Sequence, residues 1–344
     1  MSDIKHMPYL RPVSEIPVGS RVLLRMDFDV PMENGRVVDV DRLIKSLPTI
    51  QRLLENHCVV VLIGHMGRPE GIDLQYSLKP VFTELVSLIR EKEDVEIHET
   101  FVEDIKNDAV IEMAFQNNNI ICLENLRFFK GEEENDPEFL NTIAAKTTWF
   151  VNDALAVSHR QHRSIMLHKI MQTAYGIAFI DEVTKLMSVI YNPCRPLTVI
   201  LGGVKEDKLS YLPKLISIAD YVCIGGKLPT FISQAQEANV YVAGLREDGL
   251  DLSDEDIEKF KTYISLSKTI IWSGALGYFE KEDAKKGTRE IAKALGESTA
   301  YTIIAGGDTE ASVSDIGVED KITLIASGGG MMLELLTKGT LPAW

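Results

Sequence analysis

A chain of 344 residues is long for a single core and suits two domains. Its 45% hydrophobic and 25% charged composition is that of an ordinary globular protein, and no apolar run reaches the length of a membrane span. The net charge of −15 argues against a general nucleic-acid or membrane-surface role, since both need a basic face. It leaves room for a small anionic ligand held by a local basic cluster. The opening stretch MSDIKHMPYLRP lacks the apolar centre of a secretory signal. The four cysteines, Cys58, Cys122, Cys194 and Cys223, show no metal-ligand spacing and read as buried reduced thiols of a cytosolic protein.

In chain order, the first half offers four strand-like apolar runs. RVLLRMDFDV, VVVLIGHMGRP, IICLENLRF and TWFVNDALAVSHR close respectively on Asp27 and Asp29, His65 and Arg68, Glu124 and Arg127, and Asp153 and Arg160. Helical periodicity fills the gaps at 40–56, 78–90 and 137–146, the last opened by Asn-Asp-Pro. This strand–helix alternation predicts βαβ units on a parallel sheet. Residues 181–190 (DEVTKLMSVI) are amphipathic and stop at the prolines of 191–196, which predicts a helix joining two α/β lobes.

The second half carries five further runs, TVILGG, YVCIGG, TIIWSG, YTIIAGGD and ITLIASGGG. Each is apolar without alternation, as a buried parallel strand is, and each ends in glycine. Glycine there lets backbone N–H groups approach a ligand at a helix start. Residues 244–259 are acidic and read as a solvated loop plus a helix start. No fixed-period repeat and no low-complexity tract appears.

The two halves therefore differ in chemistry. Arg42, His65, Arg68, Arg127, His159, Arg160, His162 and Arg163 give the first half cations at or near strand ends, beside Asp27 and Asp29. Arginine grips carboxylate and phosphate in a two-bond fork, and a carboxylate accepts a hydroxyl proton. That set suits a small phosphorylated hydroxy acid. In the second half no G-x-x-x-x-G-K-[ST] and no placed G-x-G-x-x-G occurs, which excludes a P-loop or a standard dinucleotide fingerprint. Gly306-Gly307-Asp308-Thr309 opens a helix, with Asp308 either its N-cap or a Mg²⁺ ligand. Lys205 and Lys208 follow the first glycine pair, and Gly328-Gly329-Gly330 starts a third candidate anion-binding helix.

Taken together, MDFDVP, DRLIKSLPTI, GHMGRPEG, LENLRFFKGEEENDPEF, VNDALAVSHRQHRS, LGGVKEDK, IGG, WSGALGYFE, AGGDT and SGGGMMLELL resemble, in that order and over nearly the whole chain, the phosphoglycerate kinase family. The resemblance implies an α/β fold of two doubly wound, Rossmann-like parallel-sheet lobes joined by an interdomain helix and hinge. Its expected divisions are 1–175 (3-phosphoglycerate lobe), 176–195 (helix and linker), 196–325 (nucleotide lobe) and 326–344 (a segment returning toward the hinge). It implies phosphoryl transfer between 1,3-bisphosphoglycerate and ADP, giving 3-phosphoglycerate and ATP, by hinge closure and in-line transfer, with Mg²⁺ on the nucleotide. By position, Asp27, Asp29, Arg42, His65, Arg68, Arg127 and Arg160 match the 3-phosphoglycerate site. Arg42, Lys205, Gly328 and Gly329 match the groups around the transferring phosphoryl. Lys205, Lys208, Glu280, Gly306, Gly307, Asp308 and Thr309 match nucleotide contacts, with Glu280 on the ribose and Asp308 near the metal. A cytoplasmic monomer acting on small molecules, with no nucleic-acid or membrane partner, is the accompanying expectation.

Departures from the family pattern set further expectations. Asp29 stands where Asn is usual, Ser273 and Ala275 replace Asn and Pro, and Lys205 and Lys208 are one residue closer than usual, which puts the reach of Lys208 to its phosphate in question. The region 232–268 is short, with no recognisable Gly-Trp-x-Gly-Leu-Asp loop, and the chain lacks the customary tail that packs back on the N-terminal lobe. These predict a weaker or less base-selective nucleotide site. The alternative readings are a kinase of the same chemistry on another carboxylate and a non-catalytic phosphate- or nucleotide-binding relative.

Overall fold

The computed structural model describes residues 8–92, 96–232 and 237–344. The chain divides into two units, one of residues 8–183 with Pro342–Trp344, the other Thr184–Leu341. The helix Ile177–Tyr191 begins in the first and ends in the second, four residues longer at its start than the sequence periodicity predicts.

In the first unit, β1 (Arg21–Arg25) is followed by a short antiparallel pair, β2 (Met32–Glu33) and β3 (Arg36–Val37). Then come β4 (Val59–Ile63), β5 (Glu99–Val102), β6 (Ile120–Leu123), β7 (Trp149–Asn152) and β8 (Gln172–Tyr175). The main sheet is parallel, in the order β5-β6-β4-β1-β7-β8. Its strands are apolar on both faces because both are covered. Leu24, Val60 and Leu62 pack under the helices Asp41–Glu55 and Lys79–Lys92, while Leu23, Val61 and Phe150 pack against Ile111 and Ile143 on the other face. The chain runs outward from β1 to one edge and then returns to its other side, so β1 is the point where strand order reverses, the usual ligand position of such sheets.

The second unit repeats the plan with β9 (Leu197–Leu201), β10 (Tyr221–Ile224), β11 (Val240–Val242), β12 (Thr269–Ser273), β13 (Tyr301–Ala305) and β14 (Leu324–Ala326), all parallel in the order β11-β10-β9-β12-β13-β14. Strand order reverses between β9 and β12. Trp272, Phe260, Ile291 and Leu295 fill the core on one face. The expected α/β class with two doubly wound parallel sheets is what the structure has.

Four expectations need correction. The helix predicted over 137–146 starts only at Asn141, because Leu140 adopts a left-handed φ of 69° that a helix interior forbids. Residues 244–259 are not merely solvated: Leu245 and Leu252 form an antiparallel bridge, Asp251 is buried, and the helix Asp254–Leu266 opens on a Ser253 cap. The C-terminus does return to the first unit. Ala343 is fully buried, its carbonyl accepts from Tyr175 Oη at 3.0 Å, and Trp344 meets Phe179 edge-on at 5.9 Å. Cys194 is exposed, unlike the other three cysteines.

Candidate active site

In the first unit the predicted residues converge at the carboxyl ends of the central strands. β1 runs out into Asp27 and Asp29, β4 into His65, Gly67 and Arg68, β6 into Arg127, and β7 into the segment that carries Arg160. Asp27, largely buried, accepts from Arg42 Nη1 at 3.1 Å through Oδ2, and from the Asp29 backbone N–H at 3.2 Å through Oδ1. Gly67 N–H donates to Asp29 Oδ1 at 2.8 Å, and Asp29 Oδ2 lies 4.0 Å from His65 Nε2. Arg127 donates to the Gly67 carbonyl at 2.5 Å. Gly67 sits at φ +63°, with the Tyr76 ring where a Cβ would be, so this turn between two site residues requires glycine.

Asn125 ties these loops together. Its Nδ2 donates to the carbonyls of Met66 and Tyr76, each at 2.8 Å, and its Oδ1 accepts the Arg127 N–H at 3.1 Å. Neighbouring Glu124 is buried and accepts from Leu78 N–H at 2.9 Å and Ser77 Oγ at 2.7 Å. Arg68 and Arg160 remain exposed at the rim.

Three of the expected site cations change role. Arg163 is not a site cation: it is buried and spends its donors on the carbonyls of Phe139 and Pro137 and on Asn141 Oδ1. His65 and His162 sit where a positive ring is disfavoured. Burial, followed by the charges of Arg25 and Arg127, holds His65 well below the usual histidine range. Burial, then Arg127 and Arg25, brings His162 down to about 4.

Arg25 and Glu132 stand behind these residues and were not expected from the sequence. Arg25 is 1% exposed at the end of β1, with Nη2 at 2.8 Å from His65 Nδ1 and Nε donating to Ser164 Oγ at 3.1 Å. Glu132, also buried, accepts from the Ser164 N–H at 2.9 Å and from its hydroxyl. The available signal was an arginine inside an otherwise apolar strand, which must find a partner to be buried.

In the second unit the glycine-ended strands form a single backbone-lined edge. Gly202 N–H donates to the Ser273 carbonyl at 2.9 Å and Gly203 N–H to the Ala275 carbonyl at 2.7 Å. A Cβ on Gly202 would lie 2.5 Å from the carbonyls of Gly274 and Ala275, so these turns touch only because they lack side chains. Lys208 lies on this edge, donating to the carbonyls of Gly202 (3.0 Å) and Ser273 (3.3 Å), and burial lowers its pKa. Lys205 is exposed.

Two helices start here. Gly306 (φ +107°) precedes Gly307–Asp315, whose Thr309 is buried and accepts the Gly274 N–H at 2.8 Å, while Asp308 is exposed and no other residue crowds Gly307. Gly328 precedes Gly329–Lys338. Between them the buried Ser273 hydroxyl has no protein partner and sits 3.1 Å from where a Gly329 Cβ would be. Open helix N-termini beside an unpaired hydroxyl and an ammonium are an anion site. Asp308 supplies one hard oxygen ligand, and no group of three metal-binding side chains occurs among the described residues. The donor set thus fits an ion held mainly by a ligand's own phosphates.

Gly249-Leu250-Asp251 repeats the Gly-Leu-Asp letters of the loop that the sequence was expected to lack. Asp251 accepts from Leu252 N–H at 2.9 Å and Gly287 N–H at 3.0 Å, and Tyr278 N–H donates to the Leu250 carbonyl at 2.8 Å. The loop therefore buttresses the turn from Ser273 to Glu280. Glu280 and the Tyr278 ring are exposed there.

The chain matches the family model described as phosphoglycerate kinase over residues 15–249 and 242–339. It is similar to a phosphoglycerate kinase of Akkermansia muciniphila, 34% identical over 382 aligned residues that cover 94% of each chain. A relative of the same name from Thermosipho africanus is 33% identical over 383, again with 94% of each chain covered. These aligned lengths exceed the 344 residues here, so the relatives carry stretches that this chain lacks. Among solved structures, phosphoglycerate kinase from Coxiella burnetii matches with a TM-score of 0.77 at 26% identity, over 97% of this chain and 98% of that one. The enzyme of that name from Pyrococcus horikoshii matches in fold with a TM-score of 0.81 at 24% identity, over 97% of each.

Proposed function

This chain belongs to the phosphoglycerate kinase family, and from that membership we propose how its residues divide the family's reaction. It is a kinase that passes a phosphoryl group between 1,3-bisphosphoglycerate and ADP, giving 3-phosphoglycerate and ATP, and it acts in glycolysis. Phosphoryl transfer asks little acid–base chemistry of a protein; it asks for alignment and charge neutralisation. The first unit holds the acid. Asp27 and Asp29 face its hydroxyl, Arg127, Arg68 and Arg160 its anionic ends, and His65 donates a hydrogen bond. Arg42, now paired with Asp27 at 3.1 Å, meets the transferring phosphoryl.

The second unit holds the nucleotide. Lys208, Gly306, Gly307 and Thr309 line the phosphates, the Ser273 hydroxyl donates to one of them, and Glu280 takes the ribose. Asp308 would hold Mg²⁺ with the nucleotide phosphates. When bound, such an ion would supply neutralisation of phosphate charge. Lys205, Gly328 and Gly329 complete the charge stabilisation around the transferring phosphoryl. We further take the protein to work as a cytoplasmic monomer.

The observation that carries this reading is the convergence of Asp27, Arg42, His65 and Arg127 at the reversal point of one parallel sheet. A coupled assay with 3-phosphoglycerate and Mg-ATP tests it and should show turnover. Arg42→Ala and Lys205→Ala should each lower kcat on the order of 10³-fold, as for other preorganised charge-stabilising groups. Near-normal turnover in both variants would remove the assignment.

A further inference from the structure

The groups behind the His65 imidazole have donor and acceptor capacities that leave one arrangement of protons. A guanidinium has only protons to give. With Arg25 Nη2 at 2.8 Å from His65 Nδ1, that nitrogen must accept, and the ring carries its proton on Nε2. Arg25 Nε donates to Ser164 Oγ at 3.1 Å, so the hydroxyl's own proton goes on to Glu132. Glu132 Oε2 accepts the Ser164 N–H at 2.9 Å. Both Glu132 oxygens therefore accept, which makes it a carboxylate and the buried countercharge of Arg25. The run from Glu132 through Ser164 and Arg25 to His65 has a single direction.

We propose that Arg25, held through Ser164 by Glu132, is a positioning residue that fixes His65 as a neutral Nε2–H donor aimed at an oxygen of the acid substrate. This rests on the reading of His65 as an acid-site group. The groups that face His65 agree with it. Arg25 from β1, Arg127 from the turn after β6 and Arg42 from the helix Asp41–Glu55 all oppose a positive ring, as His162 from the loop after β7 would if charged. Asp29 Oδ2, at 4.0 Å from Nε2, is too far for a direct hydrogen bond and leaves that proton for a ligand. The site thus reads its substrate here by a hydrogen bond whose strength does not change through neutral pH.

Nitrogen-15 spectra of the histidine-labelled, ligand-free wild type test this without reference to turnover, so failure here is separable from failure of the kinase reading. His65, assigned by loss of its signals in His65→Gln, should show a protonated Nε2 and a bare Nδ1 from about pH 5.5 to about pH 8. A protonated Nδ1, or titration near the ordinary value of about 6.5, overturns the proposal. In Arg25→Met the ring is released. The KM for 3-phosphoglycerate should rise about tenfold with kcat nearly unchanged, and it should acquire a pH dependence centred near 6.5. Arg25→Lys, which keeps one buried donor, should recover part of the loss. A folded Arg25→Met with the wild-type tautomer and a flat pH profile would also overturn it; where that variant does not fold, the wild-type spectrum decides alone.

Discussion

Asp29 shows how one side chain alters a site whose backbone is unchanged. Its Oδ1 accepts the Gly67 N–H, a bond that an amide oxygen makes equally well, so the carboxylate is not needed to shape the loop. What the carboxylate adds is negative charge beside an anion site. At roughly 6 Å and an effective dielectric of about 20, two unit charges repel by ~3 kcal/mol. Asp29 is 42% exposed, and screening reduces that to about 1 kcal/mol. Asp29→Asn should therefore lower the KM for 3-phosphoglycerate about fivefold, leave kcat unchanged, and lose its advantage as salt is raised. Steady-state kinetics at two ionic strengths check this; a raised KM would mean that the carboxylate holds the substrate hydroxyl better than an amide does.

At the scale of elements, the glycine-ended strands and the cation-ended strands were legible because both depend on local pattern. A continuous apolar run closed by glycine or by charge states its own direction and its functional end. Arg25, Glu132 and Ser164 were not legible, since the ladder they form joins residues 32 and 139 positions apart. Arg163 misled because its charge says nothing of which way it points; folding turned it onto Phe139 and Pro137. Asp251 was hidden in an acidic stretch that reads as solvent-facing, yet it bridges two backbone amides at the base of the Ser273–Glu280 turn. Asp251→Ala should leave the buried Gly287 N–H unpaired, at a cost of about 1–3 kcal/mol. Because that loop supports the nucleotide edge alone, the KM for ATP should rise about tenfold while the KM for 3-phosphoglycerate holds. Equal loss for both substrates would point to general unfolding instead.

For the whole molecule, the helix Ile177–Tyr191 is the continuous element that both units share, and its start rests on a buried acid. Asp153 accepts the Phe179 N–H at 3.3 Å, and Gly176 has no room for a side chain because the carboxyl fills that space. Burial pushes the Asp153 pKa up to about 7, only partly opposed by the Thr49 hydroxyl, the Phe179 amide and the Ser46 hydroxyl. The unfolded chain would hold this group near its ordinary 3.8. Between those values the folded protein binds the proton more tightly, so stability from this group is full below about pH 4 and declines as pH rises toward 7. About three pKa units at 1.4 kcal/mol each set an upper figure near 4 kcal/mol. Asp153→Asn keeps the oxygen that caps Phe179 and removes the titration. Denaturant unfolding of both proteins from about pH 5 to about pH 8 should therefore show the variant gaining on the wild type by a few kcal/mol as pH rises. A difference that stays constant with pH would mean that Asp153 is ionised in the folded protein throughout, with its countercharge drawn from the start of the helix.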